Sequence, residues 1–221
     1  MSTHWDTLTF VTKFRRSPQR KAANAYHHGH LRQALVDQAV ATICDKGVEA
    51  LTLRDVATRL RVSRTALYRH FADKQALLAA VATEGFRTFR QALADAWNGT
   101  GHTRAGFVAM GEAYIRFALA NSAHYRVMFG GHVAREACDA ELMAESDAAF
   151  RVLLDALVEL QQAGRVRRED ATELAVFVWA SVHGAAMLGI GGQLSRPGVS
   201  LDHMIRATTA RVWDAIALPA G

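Results

Sequence analysis

The residues best suited to contact a charged partner lie between Thr52 and Phe71, in the string TLRDVATRLRVSRTALYRHF. Arg64 and Arg69 carry planar guanidinium forks that match the paired acceptors of a guanine edge or the oxygens of a phosphate. Thr65 and Ala66 are small enough to approach a thymine methyl, and Tyr68 and His70 add further polar contacts. On one short helix, this set suits the major groove of double-stranded DNA, provided that the elements beneath hold it outward.

The spacing supplies those elements. Thr52 with Asp55 three residues later forms a capping arrangement for a first helix, whose Val56, Ala57 and Leu60 make an apolar stripe. Ser63 caps a second helix in which Leu67 and Phe71 recur at a four-residue step, and residues 60–62 turn between the two. Ala57 sits where steeply crossing helices need a small side chain, while Val62 and Leu67 turn inward, leaving Arg64, Thr65, Tyr68 and Arg69 outside. An earlier helix over 30–46, with Leu31, Leu35, Ala39 and Ile43 on one face and Gly47 as its stop, closes a three-helix core over Val56, Leu60 and Leu67. Asp73 caps a long helix with Leu77, Val81, Phe86, Phe89, Leu93 and Trp97 on one side, ending at Asn98 and Gly99. It starts in the first unit and ends in the next, so it is the mechanical link.

Charge divides the chain in the same place. Residues 1–75 hold 13 Lys and Arg against 6 Asp and Glu, a net +7, whereas 76–221 hold 13 against 15, a net −2. A basic front and a mildly acidic remainder fit a front that meets a polyanion. Half of the 221 residues are hydrophobic and only three are proline, which together with the helical spacing gives an all-α fold. Cys44 and Cys138 are far apart and lack metal or redox spacing, as fits packing residues in a reducing cytoplasm. Residues 1–25, with Lys13, Arg15, Arg16, Arg20 and Lys21 and no sustained periodicity, are expected to be a basic, disordered arm or a misassigned start. Their apolar run, residues 8–11, is too short for a signal peptide.

The compound string Tyr26-His-His-Gly-His-Leu-Arg, Leu53-Arg-Asp-Val-Ala, Val62-Ser, Leu67-Tyr-Arg-His-Phe and Lys74 resembles the tetracycline-repressor (TetR) family of bacterial transcription regulators, a likeness that runs from about Tyr26 to Asp214. The resemblance implies an N-terminal helix-turn-helix domain over 26–75 and a C-terminal ligand-binding and dimerisation bundle over 76–221. It places Tyr68, His70 and Lys74 at positions that hold the phosphate backbone, and Thr52 and Arg54 at the head of the preceding helix. Arg61 departs from the pattern, since the family usually has glycine in that turn. A positive φ there would cost about 1 kcal/mol for a residue with a Cβ.

Further helices are expected over 103–120, 122–129, 135–163, 170–191 and 199–216, separated by Gly130-Gly131, Gly164 and Arg196-Pro197-Gly198. Residues 174–195 form a run of 22 without Asp, Glu, Lys or Arg. That is long enough to span a membrane, but it contains His183, Gln193 and four glycines and lacks anchoring flanks, so a helix hidden on all sides is the better reading. Ser181, Ala185 and Gly189 make a small-residue ridge which, with Met204, Val212 and Trp213 of the final helix, predicts a four-helix homodimer surface. Phe107, Met110, Tyr114, Phe117, Phe129, Phe150, Leu154, Trp179, His183 and Met187 are candidates to line an apolar cavity for a small-molecule effector. Trp179-x-x-x-His183-Gly184, with Tyr125-Arg-Val-Met-Phe129, resembles a TetR subgroup named for its Trp-His-Gly motif, which implies a ligand-receiving bundle.

His27, His28 and His30 lack carboxylate or cysteine support and make a poor metal site. No catalytic motif is tied to a plausible pocket, so neither a cofactor nor an enzymatic activity is expected. These readings converge on a dimeric, ligand-responsive, cytoplasmic regulator, a repressor that binds a near-palindromic operator. The alternative is a helical small-molecule-binding or catalytic protein that has lost operator recognition.

Overall fold

Side-chain caps set where the helices begin. The Asp55 amide donates to Thr52 Oγ1 at 3.1 Å and the Thr52 hydroxyl returns a hydrogen bond to Asp55 Oδ2 at 2.8 Å, opening α2 (Leu53–Arg59). Ser63 Oγ accepts from the Ala66 amide and opens α3 (Arg64–Tyr68); Asp73 accepts from the Ala76 amide and opens α4 (Lys74–Gly99). Each cap satisfies an amide with no partner inside its own helix. The computed structural model describes residues 23–194 and 198–218, with side chains from residue 30 onward. The expected basic arm lies outside the described residues except for its last three, which belong to α1 (Ala23–Lys46).

The remaining helices among the described residues are α5 (Arg104–Ala120), α6 (Ser122–Phe129), α7 (Ala140–Gln162), α8 (Ala171–Ile190) and α9 (Leu201–Ile216), with a 3-10 turn at Arg135–Ala137. No strand occurs among the described residues, and the all-α expectation holds. The helix expected from 135 breaks: Asp139 Oδ1 accepts from the Leu142 amide, and this cap restarts the chain as α7. Asp170 caps α8 through the Thr172 and Glu173 amides, at the start expected for that helix.

Leu35, Ala39 and Ile43 of α1 are buried with Val56, Ala57, Leu67 and Phe71, forming the three-helix core. The turn between α2 and α3 is a Schellman motif: the Val62 amide donates to Ala57 O at 3.0 Å and the Arg61 amide to Thr58 O at 3.1 Å. Its left-handed position is Arg61, at φ 54°, a conformation that glycine adopts without a Cβ penalty. Helix α4 then leaves this unit and becomes the axle of the bundle, with Leu77, Val81, Phe86, Phe89, Leu93 and Trp97 all buried as expected. It packs on α5, α6 and α7 as well as α1, so the division at 75/76 falls inside one unbroken helix.

Two expectations for the last helices are corrected. Helix α8 is not hidden on all sides in the chain: Phe177 and Leu188 are 47% and 48% exposed, and Val176 and Met187 are exposed beside them. The ridge assigned to the dimer surface instead faces the chain's own interior. Ala185 is buried, Ser181 is half-buried, and a Cβ on Gly189 would lie 2.8 Å from Leu119 Cδ2 of α5. Val212 and Trp213 are also internal, with the Trp213 ring 5.6 Å from that of Phe107, while Met204 is half-buried. The side of α8 that is open is Phe177, Ala180, Gly184, Met187 and Leu188.

Candidate nucleic-acid interface and ligand cavity

Capping by Ser63 and burial of Leu67 orient α3 so that Arg64, Thr65, Tyr68 and Arg69 are exposed, with Ala66 and His70 half-buried at the edges. Tyr68 is 55% exposed, a high value for an aromatic ring. Arg54 stands exposed on α2, and Thr52 at its head has its hydroxyl engaged with Asp55. No carboxylate lies within ion-pair distance of Arg54, Arg64 or Arg69 among the described residues. Lys74 departs from its expected place. Half-buried, it donates through Nζ to Val48 O at 2.9 Å and Glu49 O at 3.3 Å, which ties the start of α4 to the α1–α2 loop. Two of its three donors are thereby engaged with backbone.

Within the bundle a cavity of about 330 Å³ opens between α4, α5, α7, α8 and α9. Of the ten residues expected to line it, Phe107, Met110, Tyr114, Phe129, Phe150 and Trp179 do. The other four are corrected. Phe117 packs behind the wall on the Phe89 ring, 5.1 Å away, and Leu154 points into the core one position past the lining Leu153. Met187 is on the open outer side of α8, and His183 stands behind Tyr114 against Tyr125. Sequence reasoning missed Phe86, Phe89 and Leu93, Val178 and Val182, Val212, and the polar pair Ser146 and Asp147. The α4 stripe was recognised as core; that it crosses the whole bundle is the signal that it also walls the cavity.

A chain of hydrogen bonds backs the cavity. Trp179 Nε1 donates to Tyr114 Oη at 3.0 Å, the Tyr114 and Tyr125 hydroxyls are 2.9 Å apart, and Tyr125 Oη is 2.7 Å from His183 Nδ1. Burial pushes the Tyr114 hydroxyl up to about 12 and raises Tyr125 as well, so both phenols stay protonated. Burial lowers His183, favouring neutral imidazole. The consistent assignment is that Tyr125 donates to Nδ1, which puts the imidazole proton on Nε2.

Helix α6 joins this network to the front unit. Its Tyr125 belongs to the chain of bonds and its Phe129 lines the cavity, while the loop after it grips α4: Gln75 Nε2 donates to His132 O at 3.2 Å and the Ala134 amide donates to Gln75 Oε1 at 2.7 Å. Helices α4 and α6 touch at Gly85, where a Cβ would come within 2.6 Å of Met128 Sδ and 3.1 Å of His124 Cβ. Beside that contact, Gln33 of α1 donates to Glu84 Oε2 at 2.7 Å, and Glu84 Oε1 is 3.5 Å from His124 Nε2.

Two family models match the chain at these two places. That for bacterial regulatory proteins of the tetR family matches residues 35–81, and that for the tetracyclin repressor-like C-terminal domain matches residues 107–212. The chain belongs to the TetR family. A protein of unknown function from Rhodococcus sp. RHA1 is 34% identical, with a TM-score of 0.77 over 87% of this chain and 98% of that one. A TetR family transcription regulator from Marinobacter aquaeolei VT8, 21% identical, has the same fold, with a TM-score of 0.68 over 87% of this chain and 98% of that one. The tetracycline repressor protein class C of Escherichia coli is 47% identical over 51 residues, so the likeness spans 23% of each chain. As a TetR-family member, the chain combines a helix-turn-helix domain with a helical C-terminal domain, and α4 is common to both.

Proposed function

We propose that this chain is a dimeric transcriptional repressor in the cytoplasm, released from its operator by a small molecule held in the bundle cavity. The observation that carries the reading is the α2–α3 face, where Arg54, Arg64 and Arg69 stand exposed around Tyr68 without ion-pair partners among the described residues. Guanidinium groups left open on a short, groove-sized helix suit phosphates and guanine edges. Thr65 and Ala66 face the bases; Thr52, His70 and the remaining donor of Lys74 face the backbone.

Dimerisation is supported by the open side of α8. Phe177, Met187 and Leu188 are exposed hydrophobics, and a Cβ on Gly184 would meet nothing within 4 Å, leaving room for a partner helix to approach closely. Two such chains would carry their α3 helices about 34 Å apart, the spacing of successive major grooves. Membership of the Trp-His-Gly subgroup is part of the same proposal, supported by Trp179 and His183 meeting at the two buried tyrosines.

Release follows from the shared helix. An effector that displaces Phe129 moves α6 and the loop holding Gln75, and with it the first turn of α4. The effector must bind the released state more tightly, because equal affinity for both shifts nothing. Selection of DNA sequences by the purified protein tests the reading: enrichment of a near-palindrome with steeply salt-dependent binding is expected. No enriched palindrome and no salt dependence would favour a helical protein that binds or transforms small molecules without reading DNA.

A further inference from the structure

The polar groups of the cavity wall are unevenly used. Trp179 Nε1 is engaged by Tyr114 Oη, Tyr114 is itself bonded to Tyr125, and the Thr209 hydroxyl donates to the backbone oxygens of Ile205 and Arg206. Lys, Arg and His are missing from the lining residues. Two polar groups remain, the Ser146 hydroxyl and the Asp147 carboxylate, adjacent on α7 at the rim and without a protein partner among the described residues. The contrast with the same helix is sharp. Glu141 and Glu145, six and two residues earlier, are neutralised by Arg87 and Arg90, whereas Asp147 is left open beside the cavity.

Aromatic rings make up much of the remaining wall, with Phe86 and Phe89 from α4, Phe107 and Tyr114 from α5, and Phe150 and Trp179 opposite. Their faces attract cations and other rings and give nothing to an anion. A carboxylate entering here would lose its hydration, find no counter-ion and meet a like charge at the rim. We propose that the effector is an aromatic small molecule bearing a protonated amine, with its ring system among these side chains and its ammonium group at Asp147 and Ser146. The proposal rests on the cavity being the effector site and adds the chemical class that fits it.

Uptake of N-phenylnaphthylamine, a neutral dye that brightens in apolar surroundings, reports occupancy of the cavity in the full-length protein. Displacement by naphthylethylamine, naphthylethanol and naphthylpropionate at neutral pH then varies only the polar end. The amine should displace the dye at about threefold lower concentration than the alcohol, the advantage typical of a rim-exposed ion pair. The carboxylate should need at least about thirtyfold more than the amine, because its charge is desolvated without a partner. Asp147→Asn should erase the amine's advantage over the alcohol, and an unchanged helical circular dichroism spectrum and thermal midpoint show that the variant is folded. If the carboxylate competes as well as the amine, or the ratio of amine to alcohol survives in Asp147→Asn, the amine proposal is overturned and the cavity reading stands. If the wild type takes up no dye and none of the three compounds binds, both fall.

Discussion

The arginines of the two regions live differently. Arg54 on α2, Arg64 on α3 and Arg69 at the end of α3 have no carboxylate at ion-pair distance among the described residues, whereas in the bundle Arg87, Arg90, Arg116 and Arg206 are each held by Glu or Asp at 2.6–3.4 Å. Neither set gains much stability from its charge, since exposed pairs contribute about 0–1 kcal/mol. What separates them is availability. A paired guanidinium must abandon its carboxylate before it can take a phosphate, while an unpaired one exchanges only water and counterions. The front unit keeps these three cations together around the exposed Tyr68, ready for an external polyanion, whereas Arg87, Arg90 and Arg116 tie α4 to α7 and α5 to α9. Arg126, Arg135, Arg151, Arg165, Arg168 and Arg211 of the bundle also lack ion pairs among the described residues, so it is the clustering on one helix-turn-helix face that sets the front arginines apart.

The largest expected effect tests that contrast directly. Arg64→Ala with Arg69→Ala should weaken operator binding by about a hundredfold, and should reduce the slope of log affinity against log salt by about 2 if both touch phosphates. Arg87→Ala, which removes the pairs to Glu141 and Glu145, should leave operator affinity within about twofold. Fluorescence anisotropy at several salt concentrations measures all three. Equal losses from the two regions would show that unpaired arginines are no marker of the DNA face.

The bundle's contribution is to hold two reading heads together, and Gly184→Glu probes it. Because a Cβ at this position meets nothing within 4 Å in its own chain, the variant should fold, yet it places a charge where the partner helix is proposed to approach. Light scattering should find a monomer, and operator affinity should fall about tenfold or more as one half-site is lost. Gly189→Glu would mislead as a dimer test, since its side chain collides with Leu119 inside the chain. A Gly184→Glu variant that remains dimeric moves the interface off this side of α8.

The front unit was the more legible region. Thr52, Ser63 and Asp73 announce helix starts by a local rule, an oxygen followed by an amide three residues on, and all three cap as their spacing indicates. The apolar stripe of α4 was equally readable, because polar residues on its other side fix the phase. Helix α8 offers no such reference. Apolar almost all round, it gives Ser181, Ala185 and Gly189 the same apparent claim to the outside as Ala180, Gly184 and Leu188, and only packing against α5 decides between them. The cavity suffers from the same ambiguity, since Leu153 and Leu154 are alike in sequence and only one lines it. His183 was expected to line the cavity, and it instead stands behind Tyr114 with Nδ1 against the two tyrosine hydroxyls.

A smaller effect is expected at the turn that sets α3 against α2. Arg61 occupies a left-handed conformation at φ 54°, where its Cβ costs about 1 kcal/mol relative to glycine. Arg61→Gly should therefore raise the stability of the chain by up to about 1 kcal/mol, seen as a rise of about 2–4 °C in Tm. If Arg61 also touches the operator's backbone, the same variant weakens binding slightly, so stability and affinity would move in opposite directions. A variant with lower Tm would mean that the arginine stem contributes packing that outweighs the strain.

The smallest effect lies inside the bundle, where a titratable group is kept neutral instead of paired. Burial holds His183 below its ordinary range, so the folded chain binds this proton less readily than the unfolded chain. Stability that depends on His183 is therefore fully present above the unfolded value, about 6.5, and falls as pH drops below it, because the unfolded state then takes up the additional proton. Protonation also removes the acceptor that Tyr125 uses at 2.7 Å, which loosens the link between α8 and α6. His183→Gln offers an amide oxygen to the same hydroxyl but does not titrate. Urea midpoints recorded between about pH 8 and 5 should fall more steeply for the wild type than for the variant, with the two curves converging in shape above about pH 7. Parallel curves throughout would mean that His183 titrates alike in both states, and the bundle would then tolerate a charge in the place where its neutrality is most needed.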